Sequence, residues 1–301
     1  MSTKTLINIC GPTAVGKTAV AMHWAEHFKC PILSTDSRQC YSELEIGSAP
    51  PSKEEQAAIA HYFVADRSIH QPITAGEFEH FAILKLAELF QSHDVVVSVG
   101  GSGMYIDALL HGLDPLPSDP AIKAVLEERL ATEGIGALMR ELKAADPQHA
   151  AKVDSRNPRR VIRALEVIEC TGKPYSDQLN SEPKQRDFQI VNWVLNMDRN
   201  ALYERINMRV DQMIHAGLEQ EARDLQEHQD LVSLQTVGYR EWWPYLKGEI
   251  ELERTIELIK QNSRRYAKRQ LTYFKRFTKA QWLEPNNISA QQESLQKAGV
   301  M

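Results

Sequence analysis

The chain has 301 residues, 43% hydrophobic and 25% charged, with a formal net charge of -5, which is the profile of a globular protein with a sizeable core. That balance excludes a protein coated in basic charge, but leaves room for a polyanion read by local clusters of Lys and Arg. No run of about 18 apolar residues and no charged-then-apolar leader is present, so the expectation is a soluble, cytoplasmic chain with no membrane contact. Cys10, Cys30, Cys40 and Cys170 form no C-x-x-C pair and read as small side chains in a reducing compartment.

In chain order, Leu6-Ile7-Asn8-Ile9-Cys10 is an apolar run suited to a buried strand. Gly11, Pro12, Thr13, Ala14, Val15, Gly16, Lys17 and Thr18 then fit the phosphate-cradling loop G-x-x-x-x-G-K-[ST], and residues 19–28 read as the helix that must follow it. Two glycines let the backbone curl round a phosphate, and amides at the helix start point along the positive end of its dipole. Lys17 adds a mobile charge, and the Thr18 hydroxyl can ligate a magnesium ion. Residues 31–36 predict a second strand that ends at the polar cluster Asp36, Ser37, Arg38, Gln39. Residues 43–80 read as a connection with little periodicity, and residues 76–92 as a helix. The β-branched run 94–99 predicts a central parallel strand, closing on Gly100-Gly101-Ser102-Gly103 ahead of an apolar helix through Leu110. Three strand-then-helix units imply an α/β fold, a parallel sheet with helices on both faces.

The pattern then turns helical. Pro117-Ser118-Asp119-Pro120 starts a helix reaching about Ala131, a second spans 135–145, and a third follows Asn157-Pro158 and closes at Gly172. The expected organisation is a first core part over 1–112, an all-helical insertion over 113–187, and a return to the core over 188–301. Residues 188–195 predict a strand, 200–215 a helix capped by Asp198, 250–277 a long helix, and 281–283 an edge strand.

Several residues carry candidate chemistry. Asp36 is the one well-placed carboxylate near the phosphate loop, and spacing alone leaves a metal ligand, a helix cap and a general base open. Arg205 and Arg209 share a helix face, where they pair with Glu204 or Asp211 or clamp a diphosphate. His23 and His27, four apart, lack an evident third metal ligand. Trp242 and Trp243 read as hydrophobic anchors. Arg156, Arg159, Arg160 and Arg163 fall within eight residues, and eight basic residues fall between Lys260 and Lys279, with no acid in either stretch. The second run is interleaved with Tyr266, Tyr273, Phe274 and Phe277, a pattern suited to RNA phosphates and unstacked bases.

Taken together, the phosphate loop, Asp36-Ser37-Arg38-Gln39-Cys40-Tyr41, Ile46-Gly47-Ser48-Ala49-Pro50, Gly100-Gly101-Ser102, residues 157–166, Val237-Gly238-Tyr239-Arg240 and Lys268-Arg269-Gln270-Leu271-Thr272 stand in one order. In that order the sequence resembles the bacterial tRNA dimethylallyltransferases, or tRNA isopentenyltransferases, over essentially its whole length. The resemblance implies transfer of a dimethylallyl group from dimethylallyl diphosphate to the exocyclic amine of the adenosine 3′ of the anticodon (position 37) in tRNAs reading U-starting codons. It implies Asp36 as general base, and Arg209 with Lys17, Thr18 and Mg2+ as the diphosphate grip. It implies contact with the tRNA anticodon stem-loop through Asp36, Ser37, Arg38, Gln39, Ser102, Lys123, Arg159, Arg160, Val161, Ile162 and Arg163. The remaining RNA-facing positions are Gln235, Thr236, Val237, Gly238, Tyr239 and Arg240, with Lys268 and Arg269 from the basic run. A monomer is the expected state. Two other readings compete at this point, a kinase of a small metabolite and a nucleotide-gated RNA binder.

Overall fold

A computed structural model describes residues 3–179 and 184–301, which divide into two compact units, residues 1–111 with 185–301 and residues 112–184. In chain order the elements of the first part are β1 (Thr5–Cys10), α1 (Lys17–Phe28), β2 (Ile32–Ser34), α2 (Lys53–Ala58), β3 (His61–Tyr62), α3 (Ala75–Leu89), β4 (Val95–Gly100) and α4 (Gly103–His111). The helical unit holds α5 (Pro120–Glu133), α6 (Ile135–Ala145), α7 (Pro147–Ala150) and α8 (Pro158–Thr171). Then follow β5 (Gln189–Leu195), α9 (Arg199–His215), α10 (Leu218–Asp224), α11 (Trp242–Leu246), α12 (Leu252–Phe274), β6 (Gln281–Leu283) and α13 (Ile288–Lys297).

The six strands form one parallel sheet in the order β3-β2-β4-β1-β5-β6. β1 is central and wholly buried, as its apolar run requires. Its mid-strand polar residue, Asn8, is also fully buried, and it survives there because the register places it between Ser98 and Asn192. The Ser98 hydroxyl donates to Asn8 Oδ1 (2.9 Å) and the Asn8 amide donates to Asn192 Oδ1 (2.8 Å), a polar ladder across three strands. Separate apolar clusters flank the sheet, one containing Trp24 and Trp193, the other Phe78, Tyr105, Trp242 and Phe274. Trp242 and Trp243 are buried, as anchors should be.

The strands expected from the sequence are all present, including the edge strand at 281–283. The stretch 43–80 is more ordered than its lack of periodicity suggested. It holds α2, started by a Ser52–Glu55 capping box with no buried residue, and the two-residue strand β3. Neither buries an apolar stripe, so neither leaves a periodic trace. The same holds for the polar α13, which buries only Gln291, Ser294 and Leu295.

The sheet's carboxyl ends are close-packed. A Cβ on Gly100, the last residue of β4, would collide with the main chain of Thr35, whose amide donates to Val99 O at 2.8 Å. Backbone cannot yield as a flexible side chain does, so Gly100→Ala is expected to cost at least about 2 kcal/mol. A urea titration checks this, and an unchanged midpoint contradicts the packing described.

In the helical unit, Leu126, Leu138, Leu142, Val161, Ile162, Ala164 and Leu165 form a core of their own. Asp119 caps α5 ahead of Pro120, Asn157 caps α8 ahead of Pro158, and left-handed Gly172 ends α8. Residues 180–183 of the expected insertion lie outside the described residues.

Candidate active site

The loops after β1, β2 and β4 and the facing sides of α9 and α12 enclose a cavity of about 430 Å³ outside the carboxyl ends of the strands. Thr13, Ala14, Gly16, Lys17 and Thr18 line it, with Asp36, Arg38, Gln39, Arg209, Thr236, Val237 and Gly238. Four cations face this space (Lys17, Arg38, Arg205 and Arg209), but Asp36 is the single carboxylate among its described lining residues. The surplus is built to take a multiply charged anion.

The phosphate loop takes its shape from φ values that few residues adopt. Gly16 sits at φ 105°, immediately before α1, and no side chain caps that helix, which leaves the first-turn amides to a ligand. Ala14 holds φ 64°, a left-handed conformation that costs an alanine about 1 kcal/mol or more, so the surrounding packing over-determines the loop. Lys17 Nζ donates to Pro12 O at 2.8 Å. Burial pushes the Lys17 ammonium down to about 8; the Asp36 carboxylate opposes that fall and the Arg209 guanidinium adds to it. Burial likewise lowers Arg209, again opposed by Asp36. Arg209 reaches Thr13 Oγ1 at 3.5 Å, and among the described residues it has no carboxylate partner. The pairing with Asp211 does not form: residues two apart on α9 face different sides of the helix, and Asp211 pairs with Lys260 instead.

Asp36 is fixed on one side. Its Oδ1 accepts from the Arg38 amide at 2.9 Å and its own amide donates to Ser34 Oγ at 3.3 Å, while Oδ2 takes no hydrogen bond among the described residues. Beside it, Ser102 Oγ donates to Ser37 Oγ (3.0 Å) and accepts from the Ser37 amide (2.8 Å), joining the Gly-Gly-Ser loop to the Asp36 loop.

Other residues named from the sequence are placed differently. Gln235 and Arg240 are exposed, but Tyr239 is fully buried and donates to Glu221 Oε1 at 2.6 Å, so its side chain is a brace, not an RNA contact. Val161 and Ile162 pack into the helical unit's core, which removes their side chains from any RNA-facing surface. Arg163 is spent internally on Glu166 (2.8 Å) and on the carbonyls of Leu116 and Pro117, whereas Lys123, Arg159 and Arg160 are exposed. Lys268 and Arg269 are exposed on α12. His23 and His27 lie exposed with their rings edge-on to Trp24, and among the described residues no group of three metal-ligating side chains exists. The buried thiols of Cys10, Cys30 and Cys40 are pushed up to about 12 by burial, which leaves them unreactive.

The sequence reading missed the supports. Glu221 accepts from the Ile46 and Gly47 amides (2.7 and 2.9 Å) and Glu241 from the Gly238 amide (2.9 Å), fixing two loops that line the cavity. Tyr266 of α12, named from the sequence only as one of the aromatics in the basic run, lines the cavity too, with its phenol raised by burial and then by the Asp36 charge. Gln270 is buried among apolar residues, and its spacing with Ala267 and Phe274 was a readable signal, a polar residue on a helix's buried stripe.

A family model for IPP transferases matches residues 39–277. A tRNA dimethylallyltransferase of Christiangramia forsetii is 47% identical over 280 residues, 93% of each chain, and one from Bacteroides fragilis is 46% identical over 286 residues, 95% of each. The crystal structure of a full-length tRNA isopentenylpyrophosphate transferase from Bacillus halodurans superposes with TM-score 0.71 at 34% identity, covering 99% of this chain and 96% of that one. The cavity, its phosphate loop and the matched length agree, and the chain belongs to the IPP transferase family.

Proposed function

We propose that this chain transfers a dimethylallyl group from dimethylallyl diphosphate to the exocyclic amino nitrogen of adenosine 37 in tRNAs that read U-starting codons. The carrying observation is the single cavity in which a phosphate loop, three further cations and a lone carboxylate with one open oxygen meet. In the step, the amine nitrogen attacks the allylic carbon as its bond to the diphosphate oxygen breaks. The proton passes to Asp36, and diphosphate departs with the electron pair. The α1 amides, Lys17 and Arg209 stabilise the charge growing on that oxygen, an interaction strongest in the transition state. An amine inside a stacked loop is reached only by extruding its base, and Tyr266, which lines the cavity within electrostatic reach of Asp36, is an aromatic side chain available to it there.

A magnesium ion fits the donors present. With a diphosphate beside it the ion would need only one or two protein oxygens, so the lack of a three-ligand cluster among the described residues is no obstacle, and Thr18, which lines the cavity, would hold it. Bound there it supplies Lewis-acid stabilisation of the leaving group.

Relatives at 46–47% identity carry transferase names, and the kinase reading finds no support beside them. The test is to incubate the protein with labelled dimethylallyl diphosphate, Mg2+ and unmodified tRNA. Label in the RNA at adenosine 37 is the expected result, and no label in RNA removes the reading.

The RNA surface proposed on α12 and the residues just after it rests on exposed cations. Among the described residues, Arg265, Lys268, Arg269, Lys275, Arg276 and Lys279 make no ion pair. Replacing Lys268 and Arg269 by Ala is expected to weaken tRNA binding and to flatten the slope of log K against log salt by about 0.7–0.9 per lost contact. An unchanged slope in filter binding rules out phosphate contact there. We place this activity in the cytoplasm, in a monomer; among the described residues no helix is long and apolar enough to cross a membrane.

A further inference from the structure

We propose that Gln270 is a positioning residue that holds the diphosphate-gripping loop and the base-bearing loop in one register for transfer. The inference rests on the transfer reading above. The Gln270 side chain is 6% exposed, and its carboxamide spends both ends on main chain. Oε1 accepts from the Thr13 amide at 2.9 Å and Nε2 donates to Gly101 O at 2.9 Å. A Cβ on Gly101 would strike Nε2, so the glycine exists in part to admit this contact.

Each end leads directly to the chemistry. Thr13 belongs to the phosphate loop and meets Arg209 through its hydroxyl. Gly101 precedes Ser102, whose hydroxyl holds the amide and hydroxyl of Ser37, next to Asp36. One carboxamide therefore sets the spacing between the group that receives the amine proton and the groups that receive the leaving diphosphate. In-line displacement needs both at once, and a misplacement of about 1 Å costs as much as 10²-fold. The amide is required because two loop main-chain groups, one donor and one acceptor, have to be satisfied together.

The experiment compares the full chain with Gln270→Met and Gln270→Glu in the labelled-tRNA assay. Methionine matches the volume and removes both bonds; kcat is expected to fall about tenfold or more with tRNA affinity near wild type, while the melting temperature drops because the Thr13 amide and Gly101 carbonyl lose their partner. Glutamate keeps the acceptor for Thr13 but faces Gly101 O with a second acceptor until it is protonated, which restores a donor. Its rate relative to wild type is therefore expected to rise as pH falls towards 5. A folded Met variant with wild-type kcat, or with a kcat loss matched by a loss in tRNA affinity, overturns the positioning role. If the Met variant fails to fold, a flat relative pH profile for Gln270→Glu does so instead. Absence of transfer by the wild-type protein marks failure of the transfer reading itself, whereas transfer by wild type and unimpaired variants removes only Gln270.

Discussion

Asp36→Asn lowers prenyl transfer by about 10²-fold or more and leaves tRNA affinity near wild type, because the proposed change removes a proton acceptor and little else. The choice of asparagine follows from the geometry. Asp36 Oδ1 accepts from the Arg38 amide, and an asparagine oxygen makes the same bond, so the loop that carries Ser37, Arg38 and Gln39 keeps its shape. What changes is the second oxygen, which has no hydrogen-bond partner among the described residues and becomes an NH2 group that donates and cannot take up a proton. Alanine loses the turn as well, so a comparison of the two variants separates base chemistry from loop architecture. Single-turnover rates with saturating tRNA and dimethylallyl diphosphate are the measurement. Asparagine at wild-type rate sinks the base assignment, and asparagine far more active than alanine assigns Asp36 to loop shape.

Much of this was legible in the sequence, and the reason is local. β1, the phosphate loop and α1 are contiguous, their conformation is dictated by glycines and an apolar run, and they stand where the motif put them. Strand-helix alternation likewise specified the parallel sheet, since parallel neighbours demand crossovers. What stayed hidden depends on contacts distant in sequence. The Ser98–Asn8–Asn192 ladder joins residues 90 and 184 positions apart, and Gln270 meets Thr13 across 257. A pattern of types can put one amide on the buried stripe of a basic helix, but it cannot say that this amide holds two loops. For the same reason Val161, Ile162 and Tyr239 were grouped with RNA-facing neighbours in a linear motif, although a helix alternates its faces and only Arg159 and Arg160 look outward there. The arginine-rich start of α8 was visible as charge, but that Arg163 serves the buried Glu166 required the fold.

Lys17→Met abolishes detectable transfer at pH 7 and at the same time raises the melting temperature, a pairing that follows from one lowered pKa. Lys17 falls from an ordinary 10.5 to about 8 in the folded chain, mainly because it is buried. Below about pH 8 the folded chain therefore carries a charge that water would hold more comfortably, and stability rises as pH climbs from 8 towards 10.5, where the unfolded chain also loses its proton. Methionine keeps the length and apolar stem and removes that cost, so its stability gain is present at pH 7 and fades by about 10.5. The diphosphate reverses the preference, since an anion beside Lys17 favours the ammonium and pulls its pKa up again. In the wild-type protein kcat/KM, which reports the free enzyme, is then expected to fall as pH passes about 8, while kcat, measured with the site filled, holds to higher pH. Calorimetry gives the same sign another way: binding above pH 8 takes up a proton, so the observed heat depends on the ionisation enthalpy of the buffer. A kcat/KM profile flat to pH 9.5, or a Lys17→Met protein less stable than wild type at pH 7, contradicts a desolvated cation kept for its grip on a leaving group and returns Lys17 to the role of an ordinary surface charge.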